Sequence, residues 1–424
     1  MSSERVKSGL LGVLPDGWSA ERLGHIGLFL RGGGDSKQDE VDDGLPCVRY
    51  GDLYTHHDCR ITDTRSRISP DRVNSYTPLR YGDVLFASSG ETVDDIGRSA
   101  VNLMRGRAYC GGDVIILRPA IEINSSFLGH VADCTSSRIQ KSRLGRGSTV
   151  IHIYDEELRD LVIPVPPPEE QRQIAKILDT VDDTIKATDR VIAKLVAARV
   201  GLLREQLAPG MTDSPPPDWE VVRVEELLGH RSPAMRSGPF GSFLLASELV
   251  NEGVPLLGID NVQREHFVAD YRRFVTPDKS YELRRYRVRP RDIMITIMGT
   301  VGRCCVVPDS IGEAVSSKHV WTLTLDQERY LPELACLQMN YAPWVLAHFC
   351  RDEQGGIMSA IRSETLRSLR LPTPPMAEQR RMWAMLRALA RRIEAEAESL
   401  SKLRELRSGL AADLLSGRVR TVAA

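Results

Sequence analysis

The stretch Pro166–Leu178, PPPEEQRQIAKIL, sets three prolines directly ahead of an apolar pattern of helical period. Each proline fixes φ and disfavours helix in the residue before it, so the chain arrives extended and helix begins only after them. Glu169 and Glu170 then fall in the first turn, where carboxylates meet the positive end of the helix dipole. The same device returns at Pro374–Leu386 as PPMAEQRRMWAML, with Glu378 and Gln379 each 208 residues after Glu170 and Gln171 in a chain of 424. The second half of the chain repeats the first.

The match extends outward from those residues. EELRDLVIPVPP from Glu156 and ETLRSLRLPTPP from Glu364 keep the same offset, and PDGWSAERLGH from Pro15 is echoed by PDWEVVRVEELLGH from Pro217. Between these anchors the halves diverge, apart from islands such as YGDVLFASSG from Tyr81 against PRDIMITIMG from Pro290. Repeats of this length far exceed the ~20–50 residues of a solenoid unit. The sequence therefore predicts two domains, 1–165 and 211–373, each followed by its own helix, 166–210 and 374–417, and a short tail at 418–424.

Both helices carry one apolar seam. The first reads Ile174, Leu178, Val181, Ile185, Thr188, Ile192, Leu195, Arg199, Leu202; the second reads Met382, Leu386, Leu389, Ile393, Glu396, Leu400, Leu403, Arg407, Leu410, Leu414. Steps of four and three are the heptad pattern of a coiled coil. At ~1.5 Å rise per residue, about 39 residues make a rod of ~58 Å. A helix with a single apolar seam needs a partner, and the simplest partner is the other copy. Polar breaks fall at matching positions, Thr188 and Arg199 against Glu396 and Arg407. A seam charge costs stability unless it is paired, so an antiparallel register is expected that sets Arg199 against Glu396 and Thr188 near Arg407. APG at Ala208–Gly210 and SGR from Ser416 read as the stops.

Within the variable domains, DVIILRP from Asp113, DIMITIM from Asp292 and HVWTLTL from His319 read as strands with helices between, giving a mixed α+β class. Hydrophobic content of 42% and charged content of 27% are ordinary for a globular protein. No apolar run reaches the ~18 residues of a membrane span, and the N-terminus lacks a leader pattern, so a cytoplasmic chain without membrane contact is expected. The eight cysteines show no pairing pattern. HHDC from His56 lacks a second ligand pair and is not read as a metal site.

Catalytic signatures are absent from the sequence. There is no nucleotide-cradling G-x-x-x-x-G-K-[ST], since RGGGDSK from Arg31 lacks the Gly-Lys pair, and there is no G-x-S-x-G or H-E-x-x-H. The formal net charge of −1 conceals local asymmetry: Tyr271–Arg291 carries eight Lys or Arg against two acids. Basic clusters inside both variable domains point to nucleic acid. In the first domain the candidates are Arg60, Arg65, Arg67, Arg138, Lys141, Arg143 and Arg146; in the second they are Arg264, Arg272, Arg273, Arg284, Arg285, Arg287, Lys318 and His319. Glycine-bounded turns after an apolar strand, SSGETVDDIGR and IMGTVGR, display Arg98 and Arg303, each able to fork onto guanine or onto phosphate.

Two variable domains, each followed by a helix introduced through P-x-P-P-x-x-E-Q-R, resemble the specificity subunit of type I restriction-modification systems. The resemblance spans nearly the whole chain and rests on PVPPPEEQRQIAKILDTVDDTI and PTPPMAEQRRMWAMLRALARRI. It implies two target recognition domains that read the halves of a split site in double-stranded DNA, with an antiparallel coiled coil fixing the gap. It also implies a chain with no catalytic centre, docked to two adenine methyltransferase subunits and, in the full complex, to restriction and translocase subunits. S-adenosylmethionine, ATP and Mg would then belong to those partners only. The competing expectation is a DNA-binding or coiled-coil adaptor outside restriction.

Overall fold

The computed structural model describes residues 11–34, 39–147, 150–207, 216–350 and 361–421. The chain divides into two compact units, Met1–Arg190 with Glu398–Ala424, and Val191–Ala397. Among the described residues no helix is long and apolar enough to cross a membrane.

In the first unit a five-stranded sheet runs in the order Gly27–Arg31, Val114–Pro119, Val84–Ala87, Ser99–Asn102, Arg60–Ile61. Beside it lies a four-stranded sheet built on Glu40–Val48 and Ala108–Cys110. The central strand Val84–Ala87 is buried throughout, which is why it reads as a continuous apolar run rather than an alternating one. The second unit holds a four-stranded sheet, Met235–Ser237, Val320–Leu323, Ile293–Thr296, Cys304–Val306, and a three-stranded one. Its strand Ile293–Thr296 is likewise buried throughout. All three predicted strands form, trimmed at their ends.

The aligned islands around these strands share a buried ion pair. Asp83 accepts from Arg118 through both carboxylate oxygens, at 2.9 and 2.7 Å, and caps its own turn by accepting from Arg80 N. Asp292 pairs with Arg236 and accepts from Arg289 N at 2.7 Å. Neither arginine stands out in the sequence, because its partner is distant along the chain.

Each long helix starts where the prolines release the chain, at Pro168 and Met376, and the two extend to Leu207 and Ser416. The predicted stop at Ala208–Gly210 lies outside the described residues, whereas Gly417 follows the second helix at φ +75, the left-handed conformation of a glycine cap. The seam is visible in burial: Val181, Ile185, Thr188, Ile192, Leu195 and Arg199 are half-buried, the last four of them between exposed neighbours. At their ends the helices join the domain cores. Ile174, Leu178, Leu414 and Leu415 are buried in the first unit, and Leu203, Met382 and Leu386 in the second.

The repeated Glu-Gln pair clasps each helix to its domain. Trp18 donates its indole N–H to Glu170 Oε2 at 2.9 Å, and Trp219 donates to Glu378 Oε2 at 3.1 Å. Gln171 accepts from Asn124 N, the N-cap of helix Ser125–Ala132, and donates to Pro166 O, both at 2.9 Å. Gln379 accepts from Leu331 N, the N-cap of helix Pro332–Tyr341, at 2.9 Å and donates to Pro374 O at 2.8 Å. An antiparallel strand pair closes each clasp, Ser19–Arg22 with Val162–Val165 and Glu220–Arg223 with Arg370–Thr373. These contacts explain why the motif occurs twice: it satisfies buried backbone groups at each domain–helix junction, where an unpaired donor would cost ~1–3 kcal/mol. In the first unit Arg420 adds a second donor to Glu170, at 2.7 and 2.9 Å.

Candidate nucleic-acid interface

The basic candidates separate by burial. Lys141 is fully buried: its ammonium donates to Gly97 O at 2.6 Å, Ala132 O at 3.0 Å and Ser99 Oγ at 3.2 Å, and lies 3.5 Å from Asp133 Oδ1. Arg60 is also buried, held by Asp179 at 3.1 Å and Asp183 at 2.7 Å on the first long helix. Neither can meet DNA, because a charge already paired inside the protein has no free face to present. Both leave the set of expected contacts.

Others are exposed or partly exposed but engaged. Arg138 pairs with Asp133 at 2.6 Å, Arg146 with Glu157 at 2.8 Å and Arg272 with Asp270 at 2.7 Å. Arg273 pairs with Asp260 and Arg287 with Glu313. Arg67 donates to Gly44 O at 3.0 Å. Arg284 and Arg285 lie over Tyr281 and Tyr286, 4.8 and 5.1 Å from the ring centroids. His319 is half-buried, with Nδ1 3.2 Å from Met298 Sδ, and burial followed by Lys318 lowers its pKa. Arg65, Arg143, Arg264 and Lys318 are exposed and form no ion pair with any described residue.

The two turn arginines occupy matching positions. Gly97 and Gly302, immediately before Arg98 and Arg303, both adopt positive φ, +69 and +80, which a side chain would strain. Arg303 donates from Nη1 to Gln263 Oε1 at 2.8 Å and is half-buried. Arg98 is half-buried too, and its Nε has no partner. Around it lie Asp95, Asp133, Arg138 and Lys141.

The seam arginines do not make the predicted pair. Arg199 contacts Glu265, whose other oxygen accepts from Tyr341 at 2.5 Å, while Glu396 takes Arg392 four residues earlier. Thr188 donates to Thr184 O at 3.0 Å. Arg407 donates to Asp182 Oδ1 at 3.0 Å and lies 3.5 Å from both Cys59 Sγ and His130 Nδ1. Arg199 thus docks its helix onto the variable domain of its own unit, whereas Arg407 ties its helix to Asp182 on the first long helix and reaches Cys59 and His130 of the first domain. The antiparallel order itself is present in the first unit, where Asp182 meets Arg407 and Asp189 meets Arg404 at 3.2 Å.

Arg407 closes a buried polar cluster unforeseen from the sequence. His130 Nδ1 stands 3.1 Å from Cys59 Sγ, and Nε2 stands 2.8 Å from Asp179 Oδ1. Burial works against a charged imidazole, but Cys59 and Asp179 outweigh it and lift His130 to about 9. A group raised above its unfolded value stabilises fully below that value, ~6.5, and loses its contribution as pH rises through the folded pKa. Unfolding free energy should therefore fall between pH ~6.5 and ~9, by ~3 kcal/mol at ~1.4 per unit. In His130→Gln, urea titrations across that window should lose this slope.

The repeated junction clasp and the mixed sheets of each unit define a tandem two-domain fold. The family described as "Type I restriction modification DNA specificity domain" matches it twice, over residues 15–197 and 216–405, and the chain belongs to that family. A Methanocaldococcus jannaschii protein bearing the name of the MjaX type I restriction enzyme specificity subunit is 24% identical, over 98% of this chain and 97% of its own. The EcoKI specificity subunit of Escherichia coli K12 is 24% identical over 67% of this chain and 62% of its own. Two solved structures share the fold with a TM-score of 0.58. One is the type I restriction-modification S subunit from M. genitalium, 15% identical, over 96% of this chain and 98% of that one. The other comes from work on assembly and conformational transition of the type I R-M system, 20% identical, over 96% of this chain and 100% of that one.

Proposed function

We propose that this chain is the DNA-reading subunit of a type I restriction-modification complex, each variable domain reading one half of a split target. The long helices act as the spacer that sets the gap between halves. The observation that carries this reading is the double clasp: the same Trp–Glu and Gln–backbone contacts join each divergent domain to its own helix. A fixed frame with two differing heads suits two differing half-sites. Catalysis then resides in partner methyltransferase and restriction subunits, which would bring S-adenosylmethionine, ATP and Mg.

Expressed with its methyltransferase partner, the chain should direct adenine methylation to one gapped motif. A contiguous motif, or methylation unchanged when the chain is omitted, overturns the proposal. Arg264→Ala and Lys318→Ala should each weaken DNA binding evenly across sequences and reduce the salt slope by about one charge. Arg303→Ala distinguishes reading from holding, because a lost base contact costs ~1–3 kcal/mol of discrimination at a single position.

A further inference from the structure

Among the described residues the first unit holds two clusters with the ligand chemistry of a transition ion. The buried one, Cys59, His130 and Asp182, is already neutralised: Arg407 Nη2 stands 3.5 Å from the sulfur, 3.5 Å from the imidazole and 3.4 Å from the carboxylate. A second cation would have to displace that guanidinium. The other cluster lies at the surface, where the chain leaves helix Tyr50–Thr55 and turns into strand Arg60–Ile61. There the fold brings Asp63 back to His56 and His57, a ligand that the contiguous HHDC stretch does not reveal.

We infer that His56, His57 and Asp63 form a binding site for a divalent transition ion of the zinc type. Their ligand atoms all lie within 4.8 Å of one another, and His56 Nε2 is 3.8 Å from Asp63 Oδ1. Around a tetrahedral ion with bonds of ~2.0–2.1 Å, ligand atoms stand ~3.3–3.5 Å apart, so closure by about an ångström completes the site. The mobile and fixed parts are suitably divided. His56 and Asp63 are exposed side chains free to move, whereas His57 is only 4% exposed and is held by burial. His57 Nε2 is buried without a hydrogen-bond partner, a defect that native structures rarely leave unexplained. Two imidazoles and one carboxylate leave a fourth position for water, and the ion would tie the 56–63 loop to the end of the preceding helix.

Calorimetric titration of the full chain with Zn2+ alone should show one saturable site, and thermal unfolding should shift upward with added Zn2+. His56→Ala and Asp63→Asn, both at exposed positions, should each weaken binding at least tenfold and remove the thermal shift while leaving the metal-free melting profile unchanged. Cys59→Ser should leave the Zn2+ affinity unchanged. Absence of a saturable site, equal affinity in the parent and both surface variants, or loss of binding only in Cys59→Ser overturns the inference.

Discussion

Lys141→Met should destabilise the first domain by ~3–5 kcal/mol, the cost of breaking a buried charge pair by removing one partner. Methionine retains the apolar stem that runs beneath the ammonium, so packing is largely preserved. What is lost is the charge facing Asp133 and the donors that satisfy Gly97 O, Ala132 O and Ser99 Oγ. Asp133 is nearly covered, and burial alone would raise its pKa. Lys141, followed by Arg138, holds it below the usual range. Without the lysine, Asp133 keeps Arg138 on its outer side, which places the expected loss nearer the lower end of the interval. Arg143→Ala, two residues along the same helix but exposed, should stay within about 0.5 kcal/mol. Urea denaturation of both variants decides the matter. A Lys141→Met protein as stable as the parent would mean that Asp133 is accommodated in some other way.

Lys141 also marks where reading from sequence stops. SSRIQKSRLGRG looks like a solvated basic cluster, and nothing local separates Lys141 from Arg143. The separation comes from the helix Thr135–Leu144, which turns one cation toward Asp133 and the next outward, and from a backbone at Gly97 some forty residues away. Arg60 is withheld for the same reason, its partners Asp179 and Asp183 lying on the long helix. The seam shows a related limit. Its period and half-burial are legible, because they depend on spacing within one helix. The partner of Arg199 is not, since Glu265 sits in a variable domain where no repeat points to it. The symmetric reading paired Arg199 with Glu396 and Arg407 with Thr188, whereas the fold gives Arg199 to Glu265 and Arg407 to Asp182. The clasp was legible as a motif but not as a mechanism: Pro, Glu and Gln recur in sequence, yet only the fold brings Trp18 to Glu170 and the Asn124 amide to Gln171.

Exchanging residues 14–163 for the matching segment of another specificity subunit should replace one half of the methylated motif completely and leave the other half and the gap intact. The transplanted segment carries Trp18, Asn124 and the five- and four-stranded sheets of the first unit, while Glu170 and Gln171 stay with the helix. The Trp18–Glu170 and Asn124–Gln171 contacts are then each rebuilt from one donor segment and one resident residue, so a donor lacking the tryptophan would dock poorly. Each mismatched base pair costs ~1–3 kcal/mol, so even two in the exchanged half amount to ~2–6 kcal/mol, roughly 30-fold to more than 10⁴-fold in binding. The old motif should accordingly disappear from the methylome rather than fade. Inserting four residues into one long helix, outside the clasps, should by contrast alter only the gap, because ~6 Å of added helix moves a head without changing what it reads. Methylome sequencing of both variants separates the two roles. If the domain exchange altered both halves, or if the insertion left the gap unchanged, reading and spacing would not be divided between domains and helices.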